Sequence, residues 1–209
     1  KYSIVEETRP GEYMPVYENE RGTYIFNSKD LCMIGHVPEM IDAGIDSFKI
    51  EGRMKTALYV ATVARTYRKA IDDYMKDPKL YEANMEWYKE EIGKCTYREF
   101  TTGFYFGKPG SDAQIYNSNT YVKNYTYLGT VEEADGKGRC RIEQKNKFSV
   151  GETIEIMKPD GRNLDVVVKS ICDEDGNGQE SAPHPKQILW VDLGADVDKY
   201  DILRKKEDN

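Results

Sequence analysis

The sequence predicts an α/β segment followed by a small antiparallel β-barrel. Residues 46–76 place a short strand directly before a long amphipathic helix, which is the pattern of parallel β/α units. From Thr120 onward, short runs of alternating hydrophobicity are separated by turn sequences such as Asp135-Gly136. The predicted division is an α/β segment at 1–95, a connector rich in aromatic residues and glycine at 96–119, and a β-rich module at 120–209.

Composition limits the class of protein. The 209 residues are 39% hydrophobic, which suffices for a core, and the sequence has no apolar run of membrane-spanning length. The net charge of −7 argues against a generally basic surface that coats nucleic acid, although a local basic patch is compatible with it. The four cysteines form no C-x-x-C pair, as expected for reduced thiols in a cytoplasmic protein. The start at Lys1 lacks an initiator Met and a signal region, so we expect a chain cut from something longer.

The α/β segment is predicted to begin with a β-hairpin. Residues 1–7 and 12–17 flank the turn Arg9-Pro10-Gly11, and a second turn at 19–22 leads into the β-rich run 23–27. Helical signals follow, with Asn27 or Ser28 as the N-cap and apolar residues at the right spacing after it. A further short helix is expected to start around Pro38 and to end at Gly44.

The next predicted elements are a strand at 46–51 and a helix from about Thr56 to Lys76. Asp77-Pro78 ends this helix, and residues 79–95 are predicted to form one more. The apolar stripe of the long helix has helical spacing and comprises Val60, Ala64, Tyr67, Ile71 and Tyr74.

The strand at 46–51 is unusual because its alternating face is charged. A strand buried in a parallel sheet should be almost continuously apolar, whereas this one presents Ser47, Lys49 and Glu51 on one face. One solution is a closed β/α barrel in which these residues point inward, since polar groups at the carboxyl ends of barrel strands commonly serve the active site. The alternative is a buried salt-bridge network or an exposed sheet edge. In the barrel interpretation, the residues that converge on one mouth are Glu51, Arg53, Lys55, Asp30 and Cys32.

Several segments resemble one known family. They are "NSKDLC", "AGIDSFKIEGRMKT", "YRKAID" and "TTGFYFGKPG", and together they resemble the collagenase-like peptidase family U32 along essentially the whole chain. The resemblance implies that residues 1–95 are the last part of a TIM-like catalytic barrel and that a C-terminal β-barrel domain follows. It also implies that the family's paired upstream cysteines precede the first residue of this sequence.

The resemblance implies hydroxylation more strongly than proteolysis. The branch that this sequence resembles hydroxylates uridine in the tRNA anticodon loop, with prephenate as the hydroxyl source and a 4Fe–4S cluster as cofactor. By resemblance, Cys32 is the last cluster ligand, and a partner subunit of the same family is possible. The other three cysteines are interpreted as buried thiols. Because one ligand cannot hold a cluster, we expect the 209-residue chain itself to bind none and to have neither hydroxylase nor peptidase activity.

Candidate roles follow for the charged residues, and several stay open. Glu51 and Arg53 are the predicted catalytic residues, with Lys49, Lys55 and Asp30 as substrate-binding residues. Arginine suits bidentate contact with a carboxylate or phosphate. The glutamate could orient that arginine or act as a general base, and the aspartate could equally be a helix cap.

Peptidase machinery is hard to find in the sequence. His36 and His184 lie far apart, and neither an H-E-x-x-H site nor a G-x-S-x-G elbow is present. A peptidase that hydrolyses protein substrates is nevertheless the first alternative function, and a noncatalytic RNA-binding or interaction module is the second.

The β-rich module resembles the second domain of translation elongation factors, in "FSVGETIEI" and "DKYDILRK". Such barrels contact tRNA or pack against neighbouring domains. Stacking candidates are Tyr125, Tyr127 and Trp190. Candidate phosphate contacts are Lys145, Lys147, Arg162, Lys169, Arg204 and Lys205. Acidic residues such as Glu132 and Asp173 oppose this interpretation.

Overall fold

The computed structural model describes residues 2–20, 22–25, 27–110, 113–115 and 121–207. The chain divides into two compact units, and each unit combines two stretches of sequence. The first unit comprises residues 1–44 and 96–122, and the second comprises residues 45–95 and 123–209. In the described part of the chain, no helix combines the length and the apolar character needed to cross a membrane.

The first unit begins with a three-stranded antiparallel sheet. Strand β1 (Tyr2–Ile4) pairs with β2 (Met14–Asn19), which in turn pairs with β3 (Gly22–Tyr24). The predicted hairpin is therefore confirmed. Its turn contains Gly11 at a φ of +93°, a left-handed conformation that glycine adopts without steric cost.

Two short strand pairs follow in the same unit. Strand β4 (Asn27–Ser28) pairs antiparallel with β7 (Gln114–Ile115), and β5 (Asp30–Leu31) pairs parallel with β6 (Phe100–Thr101). The helical signals predicted here are wrong, because pairing with residues some 70 to 90 positions later determines the conformation.

The predicted short helix around Pro38 is confirmed. After a 3-10 turn at Ile34–His36 comes α1 (Val37–Asp42), with Pro38 in its first turn, where a missing backbone N–H costs nothing. Gly44 follows at a φ of +77° and ends the helical segment.

The second unit begins with an extended segment that belongs to no strand. The predicted strand at 46–51 is wrong, because an extended segment becomes a strand only by pairing and no described residue pairs with this one. Among the described residues, the parallel pairing is that of β5 with β6. The TIM-like barrel therefore stays a prediction.

The long helix α2 (Ala57–Lys76) has the predicted bounds but not the predicted buried face. Thr56 caps it, since its Oγ1 accepts a hydrogen bond from the Tyr59 backbone N–H at 3.3 Å. The predicted stripe is exposed or half-buried, and Val60 is 45% exposed. The buried positions are Leu58, Thr62, Val63, Arg65, Thr66, Ala70 and Asp73. Periodicity missed this face because four of its seven members are polar and are buried through hydrogen bonds.

The single helix predicted at 79–95 is two helices. They are α3 (Pro78–Ala83) and α4 (Met85–Ile92), which meet at Asn84. Asp77 caps α3, since its Oδ1 accepts a hydrogen bond from the Lys79 backbone N–H at 3.0 Å.

The β-rich part of the second unit is an antiparallel sheet, as predicted. Its strands are β8 (Tyr125–Ala134), β9 (Arg139–Glu143), β10 (Phe148–Ser149), β11 (Thr153–Met157), β12 (Asn163–Val167), β13 (Ser170–Cys172), β14 (Gly178–Gln179), β15 (Ser181–Ala182), β16 (Ile188–Asp192) and β17 (Ile202–Lys206). Eight form one sheet in the order β12-β11-β17-β8-β9-β16-β13-β14, and β10 pairs with β15. One continuous apolar core between Leu128 and Leu203 underlies this half-barrel.

Candidate functional site

Four predicted site residues lie together on one exposed loop of the second unit. Glu51 Oε1 accepts a hydrogen bond from the backbone N–H of Arg53 at 3.0 Å. The side chains of Lys49, Glu51 and Arg53 are exposed, and none of them has an ion-pair partner among the residues that the structure describes. The loop therefore presents an anionic and two cationic groups to solvent.

Helix α2 supports this loop. The Lys55 backbone N–H donates to the Gly52 carbonyl at 2.9 Å and closes a turn, while the Lys55 ammonium lies 4.9 Å from the centre of the Tyr59 ring. A Cβ added at Gly52 would come within 3.1 Å of Val60 Cγ2, so glycine permits close approach to the first turn of the helix. The loop is consequently held by its own neighbours in sequence.

Asp30 and Cys32 belong to the first unit. The Asp30 carboxylate accepts hydrogen bonds from Arg98 Nε and from the Arg98 backbone N–H, both at 2.9 Å. Arg98 Nη1 also donates to Asn27 Oδ1 at 2.7 Å, so the aspartate anchors an arginine across β5 and β6. Cys32 is half-buried, and its backbone N–H donates to the Thr101 carbonyl at 2.9 Å.

The first unit also contains a cavity that the sequence did not reveal. Its volume is about 610 Å³, within the range of small-molecule sites. Its apolar wall includes Met14, Leu31, Phe104, Tyr105 and Ala113. Its polar lining includes Glu6, Arg9, Glu12, Ser28, Lys29 and Gln114.

A second feature missed from the sequence is a buried charge network in the second unit, formed by Arg65, Glu91, Lys94, Glu155 and Arg204. Arg204 on β17 donates through Nη2 to Glu91 Oε1 of α4 at 2.6 Å and through Nε to Glu155 Oε1 at 2.5 Å. Arg65 on α2 also donates to Glu91, and Lys94 lies 3.2 Å from Glu155 Oε2. Three cations and two anions thus hold α2 and α4 against the sheet.

Burial and charge oppose each other within this network. Burial alone would raise the pKa of Glu91, but Arg204 and Arg65 hold that pKa below its ordinary value. Burial lowers the pKa of Arg65, and the Glu91 charge offsets part of this change. The two arginines therefore favour the ionised form of Glu91 despite its burial.

The predicted RNA contacts of the β-rich module need correction at one position. Arg204 is fully buried in the charge network, so it cannot reach a phosphate. Lys145 and Lys205 are paired with Glu143 and Glu152. The Tyr125 ring lies 5.2 Å from the guanidinium carbon of Arg204, which keeps one face from stacking.

The histidines and cysteines are dispersed. His36 contacts Glu39 at 3.0 Å and packs on Phe106 with ring centres 4.5 Å apart. His184 is exposed, and Cys95 and Cys140 are buried. Within the described ranges, no group of three His, Cys, Asp or Glu side chains is arranged to hold a metal ion.

Comparisons with known proteins identify the family. The profile of peptidase family U32 matches residues 1–115, and that of the peptidase family U32 C-terminal domain matches residues 123–204. The tRNA hydroxylation protein P1 of Bacillus subtilis is 36% identical over 95% of this chain and 47% of its own length. The tRNA hydroxylation protein P of Escherichia coli is 35% identical over 98% of this chain and 44% of its own length.

Other relatives carry protease names. A collagenase of Porphyromonas gingivalis is 32% identical over 65% of this chain and 38% of its own length. A crystal structure of the C-terminal domain of a Geobacillus thermoleovorans protein described as a U32 peptidase has 31% sequence identity to this chain and a TM-score of 0.36. The match covers 39% of this chain and 92% of that one. The chain spans about half the length of the curated relatives it matches first. By these matches, the chain belongs to peptidase family U32 and includes the family's C-terminal domain.

Proposed function

We propose that this chain serves in tRNA hydroxylation, with uridine as the modified base and prephenate as the hydroxyl source. The observation that carries the proposal is sequence similarity over nearly the whole chain to two proteins named for tRNA hydroxylation. The family resemblance alone supports the finer points, namely uridine and prephenate.

The exposed loop supports specific roles for Glu51 and Arg53. Both side chains are exposed and lack ion-pair partners in the described part of the chain, so folding stability does not account for the two charges. We assign Arg53 to bidentate contact with a carboxylate or phosphate. Glu51 has one of two roles. It either orients Arg53 through its hydrogen bond to the Arg53 backbone N–H, or acts as a general base. Lys49 and Lys55 add positive charge beside them.

The iron–sulfur cluster fits this chain only in part. A 4Fe–4S cluster needs about four thiolates, and the first unit offers Cys32, while the other three cysteines belong to the second unit. The described residues therefore do not form a complete ligand set for the cluster. Cys32 as one of several ligands is part of the proposal.

Peptide hydrolysis is the second candidate, favoured by the names of the Porphyromonas relative and of the family. The described residues provide little for it. His36 is engaged with Glu39 and Phe106, and His184 is exposed on the β-rich part. We rank it below hydroxylation because the relatives named for tRNA hydroxylation match more of this chain.

The test is nucleoside analysis of tRNA by mass spectrometry from a strain that lacks the gene. We expect hydroxylated uridine to disappear and to return with the wild-type gene but not with Arg53→Ala or Glu51→Gln. Arg68→Ala, which removes another exposed arginine, is the matched control and should restore the modification. Persistence of the modified base in the deletion strain would refute the function. Gelatin cleavage that is lost in Arg53→Ala would establish the peptidase.

A further inference from the structure

We propose that the cavity of the first unit binds an unpaired nucleobase of RNA, stacked on Phe104. This inference rests on the proposed function, since it names the part of the RNA that the chain recognises. The lining brings together what a base requires, because exposed aromatic side chains flank apolar and hydrogen-bonding groups.

The loop around Phe104 is built to expose aromatic rings. Phe104 is 76% exposed and Tyr105 is 55% exposed, although both line the cavity. Gly103 precedes them at a φ of +57°, and its N–H is bonded to Thr101 Oγ1 at 3.1 Å. The Tyr105 N–H donates to the Thr102 carbonyl at 3.3 Å, so consecutive turn bonds fix the loop. Stacking a base would cover apolar surface that otherwise contacts water.

The polar lining suits the edge and the phosphate of a nucleotide. Ser28 and Gln114 supply a hydroxyl and an amide that can donate to and accept from a base. Arg9 Nε lies 2.8 Å from Glu6 Oε2 but in a geometry that makes no hydrogen bond, so this N–H has an unmet demand. Glu6 is partly exposed, so replacing it with a phosphate oxygen beside the Arg9 guanidinium costs little.

Charge balance predicts how binding should respond to salt. Glu6 and Glu12 offset Arg9 and Lys29 in the lining, so few phosphates can be neutralised there. The dependence of log K on log salt concentration should therefore have a slope of about −1 or smaller in magnitude, because each single-strand phosphate contributes about −0.7. Binding driven by stacking is expected to persist in salt, whereas nonspecific electrostatic binding would not.

The test measures binding of the chain to a fluorescently labelled RNA hairpin with unpaired uridines in its loop, against a fully paired duplex of equal length. Phe104→Ala should weaken hairpin binding roughly 5- to 140-fold. Phe104→Tyr should bind like the wild type. Tyr2→Ala, which removes an aromatic residue that is 75% exposed and outside the cavity, should also bind like the wild type. Circular dichroism checks that each variant is folded.

Several results would overturn the inference. One is hairpin binding that survives both Phe104→Ala and Phe104→Leu. Another is equal affinity for hairpin and duplex, and the third is no hairpin binding at all. Wild-type hairpin affinity in Phe104→Leu alone would also contradict stacking, because an apolar side chain without a ring would then suffice. If tRNA from the strain complemented with Phe104→Ala is still fully hydroxylated while hairpin binding is unchanged, the inference fails and the proposed function stands. Persistence of the modified base in the deletion strain would instead refute the proposed function.

Discussion

Replacing Glu91 with glutamine should destabilise the second unit far more than an ordinary surface substitution. The change keeps the size of the side chain but removes the anion shared by Arg65 and Arg204. Arg204 retains Glu155 as a partner, whereas Arg65 is left with neutral acceptors, namely the Lys158 carbonyl at 2.7 Å and Asn163 Oδ1 at 3.0 Å.

The magnitude follows from burial. Removing one partner of a buried ion pair typically costs about 3–5 kcal/mol, because the remaining charge is desolvated without compensation. Natural domains have a free energy of unfolding of about 5–15 kcal/mol, so this change removes a large share of it. Asp72→Asn is the matched control, because Asp72 pairs with Arg68 on the exposed side of α2, where both side chains are more than 60% exposed. It should cost less than about 0.5 kcal/mol.

Urea unfolding at pH 7 measures both changes. The chain has two tryptophans, Trp87 and Trp190, and both belong to the second unit, so tryptophan fluorescence reports its unfolding directly. Linear extrapolation with an unchanged m-value gives the free energy difference. If Glu91→Gln falls within about 0.5 kcal/mol of the wild type, as Asp72→Asn should, the network does not bear the stability assigned to it.

A double substitution separates charge from shape. If Arg65 is destabilised by losing Glu91, then Arg65→Met in the Glu91→Gln background should recover stability, because the unpaired buried charge is gone. The sum of the two single effects should exceed the effect of the double variant by more than about 1 kcal/mol. Strict additivity would mean that the two side chains do not interact.

The remaining predictions concern pH, thiol reactivity and one turn. The pKa of Glu91 is lower in the folded chain than its ordinary value of 4.5. Its contribution to stability is therefore present above pH 4.5 and is lost as the pH falls through the lower folded value. The urea midpoints of the wild type and Glu91→Gln should accordingly converge in acid. Burial raises the pKa of the Cys140 thiol to about 12. Mass-spectrometric mapping at pH 8 should therefore show slower alkylation of Cys140 than of the half-buried Cys172. Equal alkylation rates in the folded chain would contradict this prediction. Gly138→Ala should lower the free energy of unfolding in urea by about 1–3 kcal/mol, because the φ of Gly138 is +101° and the added Cβ would lie 2.8 Å from a backbone carbon. Gly136→Ala is the control and should cost less, because its Cβ would meet no atom within 4 Å. Equal losses would show that the contact does not matter.

The features that the sequence predicted well are those with local causes. The β-rich runs after Thr120 became strands because alternation with a period of two and glycine turns are properties of neighbouring residues. The bounds of α2 were equally readable, since Thr56 caps its start and Asp77 with Pro78 ends it. The sequence also indicated that charged residues gather around Glu51 and Arg53, although the strand predicted at 46–51 is wrong.

The features that the sequence concealed have distant causes. Arg65 is buried by acceptors 93 to 98 positions away in the chain, and Arg204 by a glutamate 113 positions before it. On a helix or strand read alone, both look like ordinary surface arginines. The cavity lining likewise combines residues from the start of the chain and from the connector around Phe104, which no periodicity relates.

The loop and the network have separate structural supports, although α2 connects them. The turn at Gly52–Lys55, the Thr56 cap and the Lys55–Tyr59 contact hold the loop locally. Arg65 lies nine residues beyond Thr56, or about 13 Å along the helix axis, and touches none of these groups. The network therefore sets how firmly α2 is held against the sheet, while the loop's conformation depends on its own turn and cap. Changes at Glu91 should lower stability without rearranging Glu51 and Arg53, and changes at those two residues should alter function without lowering stability.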